Sequence, residues 1–87
     1  MYYVYVIQSV DEEKKIYIGY SSNLKKRIEC HNQGKEGWIK GRKWRLVYYE
    51  AYANEADARR RERKLKLDGR SKYHLMKRIE GSLKDID

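Results

Sequence analysis

The segment KIYIGYSSNLKKRIECHN holds the first group of side chains that can do chemistry. It contains Tyr17 and, one helical turn apart, Arg27 and His31. A planar guanidinium binds two phosphate oxygens at once, and an imidazole transfers protons near neutral pH. These residue types favour chemistry on a phosphate ester. The alternative is structural, with the Arg27 stem lying along the sheet and His31 at the rim of the core.

Helical spacing puts both polar residues on the same face as two apolar ones. At about 100° per residue, Leu24, Arg27, Ile28 and His31 all lie within about 100° of one another. This face therefore carries Arg27 and His31 beside the apolar stripe that is expected to contact the sheet.

Glu62 is the second candidate, in the basic segment ADARRRERKLKL. It shares one helix face with Ala58 and Leu65, so a carboxylate lies on an otherwise apolar stripe. A carboxylate in that position needs a cationic partner. The candidates are Arg61, Lys66, an arginine at the edge of the core or a metal ion, which leaves an ion pair and a ligand role both open.

Composition limits the classes of function. The chain has 87 residues, no proline and no linker-like stretch, which predicts a single domain over residues 1–87. A net charge of +8 favours nucleic acid as the partner. No apolar run approaches the ~20 residues of a membrane span, and no secretory signal is visible, so no membrane role is expected. The single cysteine, Cys30, allows no internal disulfide and is too few for a zinc site, which predicts a reduced, cytoplasmic protein.

Hydrophobic patterning predicts the order ββαβαα, an α+β fold with a small antiparallel sheet packed with helices. Asn23 and Asn54 are the expected N-caps of the first two helices, and Gly34 is the expected residue just past the first one. The predicted elements are strands at Tyr2–Gln8, Lys15–Gly19 and Arg45–Tyr52, and helices from Asn23 to Asn32, from Asn54 to Leu67 and from Ser71 to Leu83.

Four stretches, YYVYVI, YIGYSSNLKKRIECHN, WRLVYYE and ARRRERKLK, resemble in order the GIY-YIG nuclease family. The likeness is strongest to its small single-domain members, of the UPF0213 type or similar to the catalytic subunits of structure-specific endonucleases. The second half of the motif is intact as Tyr17, Ile18 and Gly19. The first half reads Tyr3-Val4-Tyr5, which keeps the tyrosine and lacks the glycine. The resemblance implies a three-stranded antiparallel sheet flanked by helices.

The resemblance also implies metal-dependent hydrolysis of phosphodiester bonds in DNA, with one Mg²⁺ or Mn²⁺ ion. Glu62 would bind the metal, and Arg27 would hold the scissile phosphate. Tyr5, Tyr17 and His31 would position or activate the attacking water. The general base is either Tyr5 or His31, and the sequence leaves that choice open.

Contacts with nucleic acid are expected on the basic and aromatic segments around this site. Trp38 is the candidate for stacking on an exposed base. Gly19 either leaves room for a phosphate where a Cβ would intrude or serves a turn at the end of the strand. The residues expected to contact nucleic acid are Gly19, Lys26, Trp38, Lys40, Arg42, Lys43 and Arg61.

The expected substrate is structured or branched DNA, recognised by its shape or through a partner protein that confers specificity. The chain is expected to be a monomer or a weak dimer. A second hypothesis is a module that keeps the nuclease fold and binds nucleic acid without cutting it. A third, ranked last, is a protein-interaction module that uses the tyrosine-rich sheet.

Overall fold

The computed structural model describes residues 1–33 and 43–84, which form a three-stranded antiparallel sheet and four helices. This architecture confirms the predicted α+β class and the predicted order of strands. The described elements are β1 (Tyr2–Ser9), β2 (Ile16–Ser21), α1 (Leu24–Asn32), β3 (Trp44–Tyr52), α2 (Glu55–Leu67), α3 (Gly69–Arg78) and α4 (Glu80–Lys84).

The first two helices begin where the sequence predicts. The Asn23 side chain accepts a hydrogen bond from the Lys26 N–H, and the Asn54 side chain accepts one from the Asp57 N–H. Each bond satisfies a backbone donor that the first helical turn leaves without a partner in the helix. Both predicted N-caps are confirmed, whereas the predicted role of Gly34 lies outside the described residues.

The last predicted helix, Ser71–Leu83, is wrong in its bounds because it is two helices. The Asp68 side chain accepts a hydrogen bond from the Arg70 N–H, so α3 begins at Gly69. Ile79 separates α3 from α4, and its side chain stays buried in the core. Among the described residues, no helix is long and apolar enough to span a lipid bilayer.

The strand order is β2-β1-β3, so β1 lies in the middle of the sheet. Both neighbours run antiparallel to it. The register places Gly19 of β2 opposite Tyr5, and Tyr17 opposite Ile7. Because side chains alternate along a strand, Tyr5, Ile7, Tyr17 and Gly19 all belong to one face of the sheet.

Helices cover both faces of the sheet, which explains why β1 is buried continuously from Val4 to Ser9. The helix α1 packs on the face that carries Tyr5, and α2 and α3 pack on the opposite face. The α1 side contains Tyr5, Ile7 and Trp44, with Tyr17, Leu24 and Ile28 packed against them. The α2 and α3 side contains Val4, Val6, Ile18, Ala58, Leu65, Leu75 and Ile79.

Candidate active site

A buried pair, Tyr5 and His31, joins the sheet to α1. The Tyr5 hydroxyl oxygen lies 2.7 Å from His31 Nε2, and both side chains are fully buried. The hypothesis that His31 lies at the rim of the core is therefore wrong, because its helix face turns it inward against Tyr5 and Tyr17. A hydrogen bond sealed from water holds both rings in a fixed relation.

Position 19 requires a glycine because the Tyr5 ring lies directly over it. A Cβ at this position would come within 3.0 Å of the Tyr5 Cζ and Oη atoms, closer than real Cβ atoms approach other atoms. One reason predicted from the sequence is that the glycine leaves space for a phosphate. The structure corrects that reason, since the Tyr5 ring fills the space.

Tyr17 borders the buried pair and is itself only half-buried. Its ring centroid lies 5.1 Å from that of His31 in an edge-to-face arrangement, and 6.5 Å from that of Trp44. On its other side, Lys66 Nζ lies 5.4 Å from the ring centroid. Tyr17 therefore connects the buried pair with the charged surface of α2.

Arg27 lies on α1 at the edge of the same cluster and is half-buried. Its guanidinium lies close enough to the Tyr5 hydroxyl to lower the pKa of that phenol. Arg27 also borders an open polar cleft of about 370 Å³ at the start of α1. The other residues that line this cleft are Ser21, Ser22, Asn23, Lys26 and Cys30. The arginine thus contacts both the buried tyrosine and an open space beside it.

Glu62 lies on the inward side of α2, as predicted, with Ala58 and Leu65 fully buried on the same face. Its side chain is 22% exposed, and its carboxylate pairs with Lys66 at 3.1 Å. Of the partners that the sequence left open, Lys66 is the one observed. Lys66 in turn lies over the Tyr17 ring, so this ion pair borders the cluster.

Burial raises the pKa of Tyr5 to about 12, although the Arg27 guanidinium acts in the opposite direction. Tyr17 and Glu62 add to the rise, because a negative charge nearby disfavours the phenolate. Tyr5 is therefore a neutral phenol at physiological pH. It can donate or accept a hydrogen bond, but its anion is costly.

This raised pKa predicts a loss of stability in alkali. The neutral phenol stabilises the folded chain fully below the ordinary tyrosine pKa of about 10, and this contribution is lost as the pH rises toward the folded-state value. By about pH 11 the loss is about 1.4 kcal/mol. Between about pH 8 and pH 11, the free energy of unfolding of Tyr5→Phe is expected to fall by that much less than the wild-type value in urea titrations.

Tyr49→Phe is the control for this prediction, since the Tyr49 side chain is exposed. It is expected to follow the wild-type pH dependence. An unchanged alkaline loss in Tyr5→Phe would show that the Tyr5 hydroxyl is not held in the neutral form by the fold.

Sequence reasoning missed the contact that anchors α2 to β3. Glu50 accepts hydrogen bonds from Arg61 at 3.0 Å and from the hydroxyls of Tyr48 and Tyr52. Burial opposes ionisation of Glu50, but these hydrogen bonds outweigh it and hold its pKa below the ordinary value. The spacing Tyr48-x-Glu50-x-Tyr52, which puts three polar groups on one strand face, is the signal that indicates such a cluster. The pair fixes Arg61, the residue directly before Glu62.

The residues predicted to contact nucleic acid differ in how exposed they are. Lys26 and Lys43 are exposed, as such contacts require, whereas Gly19 is buried against Tyr5. Arg61 is half-buried and bound to Glu50, so a phosphate would have to compete with that carboxylate, and its contact with nucleic acid stays a prediction. Trp38, Lys40 and Arg42 lie outside the described residues.

A family model described as the GIY-YIG catalytic domain matches residues 1–78. This chain belongs to the GIY-YIG family. The matched range contains the whole cluster, from Tyr5 on β1 to Glu62 on α2. Membership of the GIY-YIG family therefore assigns to this chain a nuclease domain, and it confirms the resemblance seen in the sequence.

Relatives named UPF0213 proteins cover most of this GIY-YIG chain. A UPF0213 protein of Clostridium perfringens is 41% identical over 64 residues, which is 71% of this chain and 67% of the relative. One from Staphylococcus haemolyticus is 36% identical over 81 residues, covering 91% of this chain and 94% of the relative. The solution NMR structure of a UPF0213 protein from Bacillus halodurans is similar, with a TM-score of 0.54 and 31% identity, over 88% of this chain and 84% of that one.

GIY-YIG nucleases typically depend on a divalent metal, which must be held by oxygen or nitrogen atoms of the protein side chains. Within residues 1–33 and 43–84, no group of three or more His, Cys, Asp or Glu side chains is arranged to hold a metal ion. Within the same two ranges, Glu62 is the carboxylate that pairs with Lys66 at the border of the cluster. This set fits an ion such as Mg²⁺, which takes one or two carboxylates and fills its other positions with water and phosphate oxygens.

Proposed function

We propose that this chain is a divalent-metal-dependent endonuclease that hydrolyses phosphodiester bonds in structured or branched DNA. The observation that supports it most is the buried Tyr5–His31 hydrogen bond, made inside a GIY-YIG domain. A polar pair of this kind is costly to bury unless it is fully bonded. Its placement beside an open cleft supports a catalytic role for the cluster.

Under this proposal, Arg27 binds the scissile phosphate. A guanidinium can bind two nonbridging oxygens in a fixed plane, which stabilises the negative charge that develops on them. Arg27 borders the open cleft, which leaves room for a phosphate beside its guanidinium. Tyr17 is half-buried and meets solvent, so its hydroxyl is assigned to orient the attacking water.

The proton of that water passes to His31 by way of Tyr5. As the water oxygen bonds to phosphorus, the P–O bond to the leaving sugar oxygen breaks, and that oxygen takes a proton from solvent. One O–H bond of the attacking water breaks in the same step, and its proton moves to the Tyr5 oxygen. The Tyr5 proton moves in turn to His31 Nε2, in the tautomer that leaves this nitrogen as an acceptor. The high pKa of Tyr5 disfavours a lasting phenolate, which makes His31 the final acceptor. Because the Tyr5 and His31 side chains are fully buried, binding of the substrate must first expose the Tyr5 hydroxyl to the attacking water.

Glu62 is the residue proposed to hold the one metal ion, Mg²⁺ or Mn²⁺. The bound ion supplies Lewis-acid stabilisation of charge on the phosphate oxygens. Lys66 forms an ion pair with Glu62, so a metal ion would have to compete with Lys66 for this carboxylate. The ion is therefore expected to bind weakly until DNA contributes its own oxygens.

The second candidate function is binding of nucleic acid without cleavage. Two observations favour it, the Glu62–Lys66 ion pair and the complete burial of Tyr5 and His31. In either case, specificity would come from DNA shape or from a partner protein.

The test is cleavage of end-labelled flapped, branched and plain duplex DNA by the purified chain, with Mg²⁺, with Mn²⁺ and with EDTA. The proposal expects products only with metal, and more from flapped or branched DNA than from plain duplex. Salt-sensitive binding with no products at any metal concentration would favour the non-cleaving module instead.

A further inference from the structure

The outward face of α3 carries a basic and aromatic stripe outside the candidate active site. Arg70, Tyr73, His74 and Lys77 have the spacing i, i+3, i+4 and i+7, which puts them on one face of the helix. All four are exposed, and Leu75 on the opposite side is buried in the core. The four residues are called the α3 stripe below.

The charges of α3 are less neutralised than those of α2. In α2, Arg59, Arg60 and Lys66 each pair with an acidic residue of the same helix. The range Gly69–Arg78 contains no acidic residue. Lys77 pairs with Glu80 of α4 at 3.5 Å, whereas no ion pair is seen for Arg70 within the described parts of the chain. The α3 stripe therefore keeps a surplus of positive charge that can attract a polyanion.

The dimensions of the α3 stripe match a DNA backbone. Lys77 lies seven positions after Arg70, which corresponds to about 10.5 Å along a helix axis. Successive phosphates of one strand advance by about 3.4 Å along B-DNA, so the two cations span about three steps of the backbone. Tyr73 lies between them, is 60% exposed and packs edge-to-face on His74, with ring centroids 5.7 Å apart. An aromatic ring in this position suits contact with a sugar.

We propose that the α3 stripe binds the sugar-phosphate backbone of a duplex arm of the DNA substrate, away from the bond that is cut. This inference rests on the proposed function in taking DNA as the substrate. It needs no residue of the Tyr5, Tyr17, Arg27, His31 and Glu62 cluster. Affinity for the duplex arm and chemistry at the cleaved bond are thereby assigned to separate surfaces.

The test is the salt dependence of DNA binding by the full chain in EDTA, so that no cleavage intervenes. Fluorescence anisotropy would follow a labelled flapped DNA at several salt concentrations. Each phosphate contact contributes about 0.9 to the slope of log affinity against log salt concentration. The double variant Arg70→Gln/Lys77→Gln is expected to reduce the slope by about 1.8 and to weaken binding by about tenfold at low salt.

Two further variants distinguish an effect of the α3 stripe from an effect of the total charge of the chain. Lys14→Gln/Lys15→Gln removes the same two charges from the β1–β2 loop and is expected to leave the slope nearly unchanged. Tyr73→Ala is expected to weaken duplex binding severalfold with no change in slope, because it removes a contact without a charge. All of these positions except the half-buried Lys14 are exposed, so each variant is expected to fold, which thermal unfolding would check.

Equal slopes for the α3 double variant and the Lys14/Lys15 variant would overturn the inference. A loss of affinity confined to single-stranded DNA would also overturn it, since the inference names a duplex arm. If the wild-type chain never cuts DNA but the α3 double variant still lowers the salt slope of binding, the proposed endonuclease is overturned and the α3 inference is supported.

Discussion

The Glu62→Gln variant is expected to cleave DNA at least about a thousandfold more slowly than the wild-type chain. Glutamine keeps the size of the side chain but removes the charge that would hold the metal ion. Loss of metal-assisted stabilisation of the transition state is worth several kcal/mol, and ~4 kcal/mol corresponds to about three orders of magnitude in rate. Single-turnover cleavage with excess protein would measure this effect directly.

The same variant is expected to remain folded and to bind DNA. The Glu62–Lys66 pair is an (i, i+4) contact on a partly exposed helix, so its loss costs less than about 1 kcal/mol of stability. DNA binding in EDTA is expected to be equal or tighter, because a negative charge is removed. Glu55→Gln is the matched control, since Glu55 also lies on α2 and pairs with Arg59 four residues later. If both variants kept wild-type cleavage rates, Glu62 would not be the metal ligand.

Gly19→Ala is expected to destabilise the folded chain by about 3 kcal/mol and to abolish cleavage. The new Cβ would overlap the Tyr5 ring, which is fully buried and bonded to His31. The ring cannot move aside without breaking that hydrogen bond or shifting β2. Gly81→Ala is the control because a Cβ at Gly81 meets no atom within 4 Å, and an alanine in α4 is expected to be neutral or stabilising.

A double-mutant cycle tests whether the Tyr5 ring is the cause. In the Tyr5→Leu background the distal ring atoms are absent, so the added cost of Gly19→Ala is expected to fall below about 1 kcal/mol. The free energies of unfolding come from urea titrations of the four chains. An equal cost in both backgrounds would locate the strain elsewhere in β2.

Much of the fold follows from local patterns in the sequence. Asn23 and Asn54 are hydrogen-bonding caps that act within one helical turn, and the short loop between the first two strands makes them antiparallel. The break at Ile79 could not be foreseen from Leu75 and Leu83, because the same apolar spacing is compatible with one helix or two. The result depends on how Ile79 packs in the core.

The site was less predictable than the fold because it depends on contacts between distant residues. Helical spacing correctly predicted that Arg27 and His31 share one face. Only the packing of α1 on the sheet shows that His31 is buried against Tyr5. The clash that requires Gly19 arises across two strands, and the Glu50–Arg61 pair joins β3 to α2. Local spacing carries no information on such pairs. The resemblance to the GIY-YIG family grouped the residues without giving these physical reasons.

Under the proposed function, a divalent ion binds at Glu62 beside the active-site cluster when DNA is present. Paramagnetic broadening of NMR signals by substoichiometric Mn²⁺, with a short oligonucleotide that carries a terminal phosphate, would locate this ion. The signals of Glu62, Tyr17 and their neighbours are expected to broaden first, and Glu62→Gln is expected to remove the effect. Broadening centred on the acidic loop at Glu12 and Glu13, unchanged in Glu62→Gln, would contradict this placement of the ion.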